Sequence, residues 1–266
     1  MNRISNRFAQ LKRDGRKGFV AYIAAGDPDL NATRDLGVAF DELGVDILEL
    51  GVPFSDPLAD GLVNQLASQR GLASGTNPRK VLATVSEIRQ RCDIPIVLYI
   101  YFNLIHRYGL DRFIREASVA GVDGLLVLDL PPEEGAGYEA LMQQFSLDNI
   151  YLVAPTTPHD RMEFIAKRAR GFLYYVSREG VTGMQTQIAD SLGQMVSQIR
   201  THTTLPIAVG FGISTPEQAR TVAKLADAVV VGSAIVSQIA EAGKAKDLVA
   251  RVSKFVKSLV NAVKEP

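Results

Sequence analysis

The chain has 266 residues, 47% hydrophobic and 22% charged, enough for one large α/β domain or two small ones and too apolar for disorder. Lys and Arg together number 29, as do Asp and Glu, so no basic excess points to nucleic acid or to an anionic membrane surface. The single cysteine, Cys92, excludes an internal disulfide framework, and no apolar run reaches the length of a membrane span.

The polar N-terminus, Arg3 to Asp14, reads as a helix and not as a signal peptide, which makes the cytoplasm the expected compartment. Beyond it, short β-branched runs alternate with longer helical patterns. The expected strands are Phe19–Ala24, Ile47–Leu50, Ile96–Ile100, Gly124–Leu128, Ile150–Val153, Phe172–Val176, Ile207–Val209 and Ala228–Val231. Each is nearly all apolar, as parallel strands covered on both faces are. Helices are expected over Asn31–Leu43, Pro78–Arg91, Asp111–Ala120, Glu133–Phe145, Asp160–Arg168, Ile188–Thr201, Thr215–Leu225 and Lys246–Ala262. One carries a clear start signal, Ser214-Thr215-Pro216-Glu217, in which a hydroxyl precedes Pro and Glu in the first turn. Two further helical pieces, Leu62–Leu72 and Ala234–Ala240, read as insertions after strands two and eight.

Eight strand–helix units in order predict an α/β fold, a (β/α)8 TIM barrel, as a single domain over residues 1–266 with an extra N-terminal helix. A doubly wound sheet is the main alternative, and the lack of a GxGxxG fingerprint counts against it.

Catalytic groups of such barrels lie at the C-terminal ends of the strands. Glu49 sits near the end of strand two, inside an otherwise apolar run. A buried acid costs several kcal/mol unless it is paired or its pKa rises, and no turn or cap explains one in mid-strand. Ile47, Glu49 and Gly51 share one strand face, so Glu49 projects into the barrel mouth if that face points inward. The loop that follows ends in Asp60, a second acid placed to fold over the first. Asp56 and Asp60 can also serve as simple turn residues beside Pro57 and Gly61, and Asp56 is read that way.

Three glycine-bearing strand ends make a candidate phosphate cradle. They are Val176-Ser177-Arg178-Glu179-Gly180-Val181-Thr182-Gly183, Gly210-Phe211-Gly212-Ile213-Ser214 and Val231-Gly232-Ser233-Ala234. Glycine lets backbone N–H groups approach an anion, and a helix N-terminus adds a favourable dipole. No Lys ends an apolar strand, which argues against a Schiff-base aldolase. The histidines His106, His159 and His202 are not spaced as metal ligands and read as surface or loop residues, so no metal is expected. What remains is acid/base chemistry on a phosphorylated small molecule. Tyr22, Tyr99 and Tyr174 are read as lining the pocket, and Tyr101 and Tyr175 as core packing.

The run from Leu48 to Gly61 closely resembles the signature of the tryptophan synthase α subunit. Tyr174 to Gly183, Gly210-Phe211-Gly212-Ile213, Val231-Gly232-Ser233-Ala234, Ala25-Gly26-Asp27-Pro28 and Asp129-Leu130-Pro131 match as well, so the likeness spans nearly the whole chain. The resemblance implies a lyase that cleaves indole-3-glycerol phosphate to indole and glyceraldehyde 3-phosphate. It implies Glu49 as the main acid/base group and Asp60 as the acceptor of the indole N–H. It implies Tyr22, Tyr99 and Tyr174 at the ring site, and Thr182, Gly183, Gly210, Phe211, Gly212, Ile213, Gly232 and Ser233 around the phosphate. No cofactor is expected in the chain itself. The implied partner is a tryptophan synthase β subunit, holding pyridoxal phosphate, in an α2β2 heterotetramer that passes indole through a tunnel. Three positions depart from the family pattern: Leu62 where Pro is usual, Tyr22 where Phe is common, and Tyr99 where Leu or Met is usual. Two other readings compete with this one. Another phosphate-binding barrel enzyme of the same pathway would need a Cys/Asp pair or a strand-end Lys, and a non-catalytic regulatory subunit would not need both Glu49 and Asp60.

Overall fold

Eight short parallel strands close into a barrel in the computed structural model, which describes residues 2–176, 185–210 and 212–265. The strands are β1 (Gly18–Ala24), β2 (Ile47–Gly51), β3 (Ile96–Ile100), β4 (Gly124–Val127), β5 (Asp148–Val153), β6 (Leu173–Val176), β7 (Ile207–Gly210) and β8 (Ala228–Val231). Each pairs with the next in the chain, and β8 closes on β1. The expected (β/α)8 barrel is therefore the fold, and the doubly wound alternative is not.

The helices are α1 (Arg3–Arg13), α2 (Leu30–Glu42), α3 (Leu62–Ala73), α4 (Pro78–Arg89), α5 (Phe102–Tyr108), α6 (Leu110–Ala120), α7 (Ala136–Gln144), α8 (His159–Arg168), α9 (Gln185–Arg200), α10 (Pro216–Ala223), α11 (Ser233–Ala242) and α12 (Leu248–Lys264). Their starts follow local chemistry. Asn2, Asp29, Asn77 and Thr215 each cap a helix by accepting a backbone N–H. At Thr215, where the sequence signals a helix start, the cap is reciprocal, and the returning group is the Gln218 side chain.

Two elements differ from the sequence expectation. Helix α5 was not anticipated, because its seven residues follow β3 directly and include three aromatic or β-branched side chains. The single helix expected over Glu133–Phe145 is divided into a 3₁₀ turn at Pro132–Glu134 and α7, with Gly135 at the junction. A side chain at Gly135 would meet the Tyr151 hydroxyl at 3.0 Å, a tight contact that glycine avoids at the bend.

Strand alternation sorts the apolar residues into two layers. Val20, Ile47, Val97, Leu126, Ile150, Phe172, Ala208 and Ala228 fill the barrel interior, and Ile4, Phe8 and Leu11 of α1 join them from below. Helix α1 thus plugs the N-terminal end, each such buried side chain contributing about 1.5–3 kcal/mol. The outward-facing residues, including Leu48, Leu50 and Leu98, pack against the surrounding helices.

The same N-terminal end is closed by a repeated device. Asp46, Asp123 and Asp227 each stand directly before a strand and accept a backbone N–H from the first or second residue of the preceding one. The distances are 2.7 Å from Phe19, 2.9 Å from Ile96 and 2.8 Å from Ile207. Each also meets cations: Lys264 and Arg7 at Asp46, Arg89 and Arg3 at Asp123, Arg200 at Asp227. Asp46 and Asp123 are buried and paired, as buried charge requires, and the half-buried Asp227 is paired too. With that end sealed, the opposite end is left for a ligand.

Candidate active site

The layer of side chains above the interior packing forms the floor of an open cleft of about 1210 Å³ at the C-terminal mouth. Glu49 of β2 rises from this floor, 2% exposed. Its strand neighbour in register is Tyr22 of β1, and Gly51, two residues on, lies beside Tyr99 of β3. Tyr174 of β6, Leu128 and Leu152 complete the floor, and Gly210, Gly212, Ile213, Gly232 and Ser233 line the far wall. Two smaller clefts, of about 450 and 250 Å³, sit among charged side chains of α1 and α12 and do not reach this end.

Glu49 contrasts with the aspartates at the sealed end. Burial pushes its pKa up to about 8, and the nearby charge of Asp60 adds to the rise. At neutral pH it is a protonated acid ready to donate.

Asp60 lies on the loop between β2 and α3 and is held from both sides. The Tyr99 hydroxyl donates to Oδ1 at 2.7 Å, and the Tyr101 hydroxyl donates to Oδ2 at 2.9 Å. Tyr101 also accepts the Ala59 N–H at 2.9 Å, and the Gln65 amide donates to the Asp60 carbonyl at 2.9 Å. Burial raises the Asp60 pKa, while the bonds from Tyr99, Tyr101 and Asn64 act in the opposite direction. The two carboxyls thus sit in unlike surroundings, which is how acid and base roles are separated.

The tyrosines fit because glycines stand opposite them. A Cβ on Gly51 would come 2.5 Å from the Tyr22 hydroxyl, and one on Gly210 would come 2.8 Å from that of Tyr174. Tyr22 and Tyr99 meet edge to face at 5.1 Å between centroids. The added hydroxyl of Tyr99 has its partner in Asp60.

At the far wall, α11 begins at Ser233 with no side-chain cap on its first turn. Its free N–H groups and dipole therefore open beside Gly232, a ready anion site. Of the residues expected here, Glu49, Asp60, Tyr22, Tyr99, Tyr174, Gly210, Gly212, Ile213, Gly232 and Ser233 all line the cleft. Thr182, Gly183 and Phe211 lie outside the described residues.

Tyr101 is buried and packs against Phe54, in keeping with the packing reading, but the sequence reading missed that its hydroxyl also holds Asp60. Its parity with Tyr99 on β3 was the available signal. The sequence reading also missed the apolar floor residues Leu128 and Leu152, which the same alternation applied to β4 and β5 would have found. Tyr175 does face the helices, in the outer layer. Among the described residues no cluster of His, Cys, Asp and Glu is arranged to hold a metal, and no helix is long and apolar enough to cross a membrane.

A (β/α)8 barrel with an acid pair and an open helix N-terminus at its mouth fits the class of barrel enzymes that work by acid/base catalysis on an anionic small molecule. The family model of the tryptophan synthase alpha chain matches residues 8–264. The tryptophan synthase alpha chain of Geobacter sulfurreducens is 51% identical over 263 residues, 99% of each chain, and that of Opitutus terrae is 48% identical over 265 residues, 99% of this chain and 100% of the relative. Among solved structures, the alpha subunit of tryptophan synthase from Legionella pneumophila superposes with a TM-score of 0.91 at 40% identity, covering 99% of this chain and 98% of that one. A chain of the aminoacrylate- and BRD0059-bound tryptophan synthase from M. tuberculosis superposes with a TM-score of 0.89 at 31% identity, covering 100% and 99%. The chain belongs to the tryptophan synthase alpha chain family, the lyase that cleaves indole-3-glycerol phosphate.

Proposed function

We propose that Glu49 and Asp60 carry out this cleavage as an acid and an acceptor, with the substrate's indole ring on the tyrosine-lined floor and its phosphate at the far wall. The observation that carries the reading is a buried, protonated Glu49 beside a hydrogen-bonded Asp60 at the barrel mouth.

The chemistry follows from the charge states. Glu49 donates its proton to the indole ring carbon that bears the glycerol chain. Positive charge develops on the ring nitrogen, and Asp60 accepts the N–H that carries it. The carbon–carbon bond then breaks, its electron pair returning to the ring. The adjacent glycerol hydroxyl becomes an aldehyde and gives its proton to the Glu49 carboxylate, which restores the starting acid. The net transfer is one proton from hydroxyl to ring carbon, so the step needs no cofactor and no metal. Each of the two carboxyls is expected to contribute about 10²–10⁴ in rate.

Gly212, Gly232 and Ser233, with the first turn of α11, hold the phosphate in this reading, joined by Thr182, Gly183, Gly210, Phe211 and Ile213. The partner is a tryptophan synthase β subunit carrying pyridoxal phosphate, in an α2β2 assembly in the cytoplasm. Exposed Leu58 and Leu62, 90% and 70% accessible beside Asp60, suit a loop that meets such a partner.

The test is indole release from indole-3-glycerol phosphate by the wild-type chain, Glu49→Gln and Asp60→Asn. Wild-type release with a loss of two or more orders of magnitude in each variant is expected. Unchanged release in either variant removes that residue from the mechanism.

A further inference from the structure

We propose that Tyr99 is a positioning residue for Asp60, its hydroxyl fixing the Oδ1 side of the carboxylate in the orientation that receives the substrate's ring N–H. The inference rests on the role given to Asp60 above and adds a residue to it.

Three observations carry it. First, Val97, Tyr99 and Tyr101 alternate onto the same side of the chain, so the two tyrosines rise one above the other from β3. Their hydroxyls reach the two oxygens of one carboxylate, at 2.7 Å and 2.9 Å. Such charge-assisted bonds are stronger and more directional than neutral ones. Second, the two donors are not equivalent. Tyr101 is tied to the loop backbone through Ala59 and faces the small space behind the loop. Tyr99 lines that space too, but it also lines the main cleft together with Glu49 and Asp60, where Tyr101 does not reach. Its bond is therefore the one on the substrate's side. Third, Tyr99 is itself held. Its ring meets that of Tyr22 edge to face, and Gly51 leaves the room that Tyr22 occupies.

The groups facing Asp60 are Glu49 from β2, Tyr22 from β1, Tyr99 and Tyr101 from β3 and its end, and Asn64 from α3. Burial and the Asp60 charge keep the Tyr99 phenol far above its ordinary range, so it remains a donor at every working pH. A fixed donor favours the ionised acceptor. The sequence departure at this position thus gives the chain an Asp60 that is oriented before any loop closes over it.

The test is a double-mutant cycle on the full chain, with indole release from indole-3-glycerol phosphate as readout. Tyr99→Phe keeps the ring and its contact with Tyr22 and removes only the hydroxyl. It is expected to lower kcat/KM about tenfold, the equivalent of one charge-assisted hydrogen bond, and to move the acid limb of the pH profile toward neutrality. In the Asp60→Asn background the same change is expected to alter the rate less than twofold, because the charge that Tyr99 serves is gone. An equal loss in both backgrounds means that Tyr99 acts through packing and overturns the proposal. So does a Tyr99→Phe protein with wild-type rate and an unmoved acid limb. A wild-type chain insensitive to Asp60→Asn overturns the role of Asp60 and the Tyr99 proposal together, whereas loss in Asp60→Asn with none in Tyr99→Phe overturns the Tyr99 proposal alone.

Discussion

Replacing Glu49 by Gln should stabilise the fold while abolishing the chemistry, and the stabilisation should depend on pH in a defined way. The Glu49 carboxyl has a pKa of about 8 in the folded chain against an ordinary value of 4.5. A raised carboxyl pKa means that the folded state holds a proton the unfolded state releases. The destabilisation is absent below pH 4.5, grows as pH rises, and becomes constant above pH 8. Each pH unit in that window adds about 1.4 kcal/mol, so the cost reaches about 3 kcal/mol at pH 7. Gln has the same shape and no charge to lose. Asp60 contributes a slope of the same sign, but it is present in both proteins and cancels in their difference. The assay is urea unfolding of wild type and Glu49→Gln at pH 5 and pH 8. The stability gap should widen in favour of the variant by about 3 kcal/mol between the two. A gap that stays the same at both pH values would mean that Glu49 titrates in its ordinary range and is not a neutral acid at pH 7.

Other changes test how the site is supported. Gly210→Ala places a methyl group 2.8 Å from the Tyr174 hydroxyl, so Tyr174 must turn away; we expect a loss of about 1–3 kcal/mol in unfolding free energy and a raised KM. Arg70→Ala leaves Asp27, 1% exposed, without the two bonds of 2.7 Å and 2.8 Å that tie the β1 loop to α3. Denaturant midpoints should then show a cost of about 3 kcal/mol, and a neutral result would mean that water replaces the arginine. Leu62→Asp should leave unfolding of the isolated chain within about 0.5 kcal/mol of wild type, because the side chain is exposed, and should weaken activation by added β subunit. Full activation at equal partner concentration would remove this rim from the contact.

How much of this was readable from the residues alone differs by element. The barrel was legible because each strand is a continuous apolar run and the runs alternate with helical patterns eight times. Glu49 was legible because an acid in such a run has no structural excuse. Tyr101 was not, since a tyrosine after an apolar strand packs more often than it binds, and its bond depends on where a loop 41 residues away folds back. The roles of Gly51 and Gly210 were equally hidden. Gly51 reads as sharing the Glu49 face and Gly210 as part of the phosphate cradle, yet each also makes room for a tyrosine hydroxyl on a neighbouring strand, a fact that exists only once the register is set. Helix α5 was lost to its shortness and its aromatic content, which local propensity disfavours. The aspartates of the sealed end recur as Val45-Asp46, Val122-Asp123 and Ala226-Asp227, a pattern whose meaning needs the strand order.

The most direct test of the central claim is the pH dependence of kcat/KM for indole release from indole-3-glycerol phosphate by the wild-type chain. This parameter reports the ionisations of the free enzyme. A basic limb near pH 8, where Glu49 loses its proton, is the predicted result. A rate that stays level from pH 7 to well above 9 would contradict it, because Glu49 would then not be the proton donor.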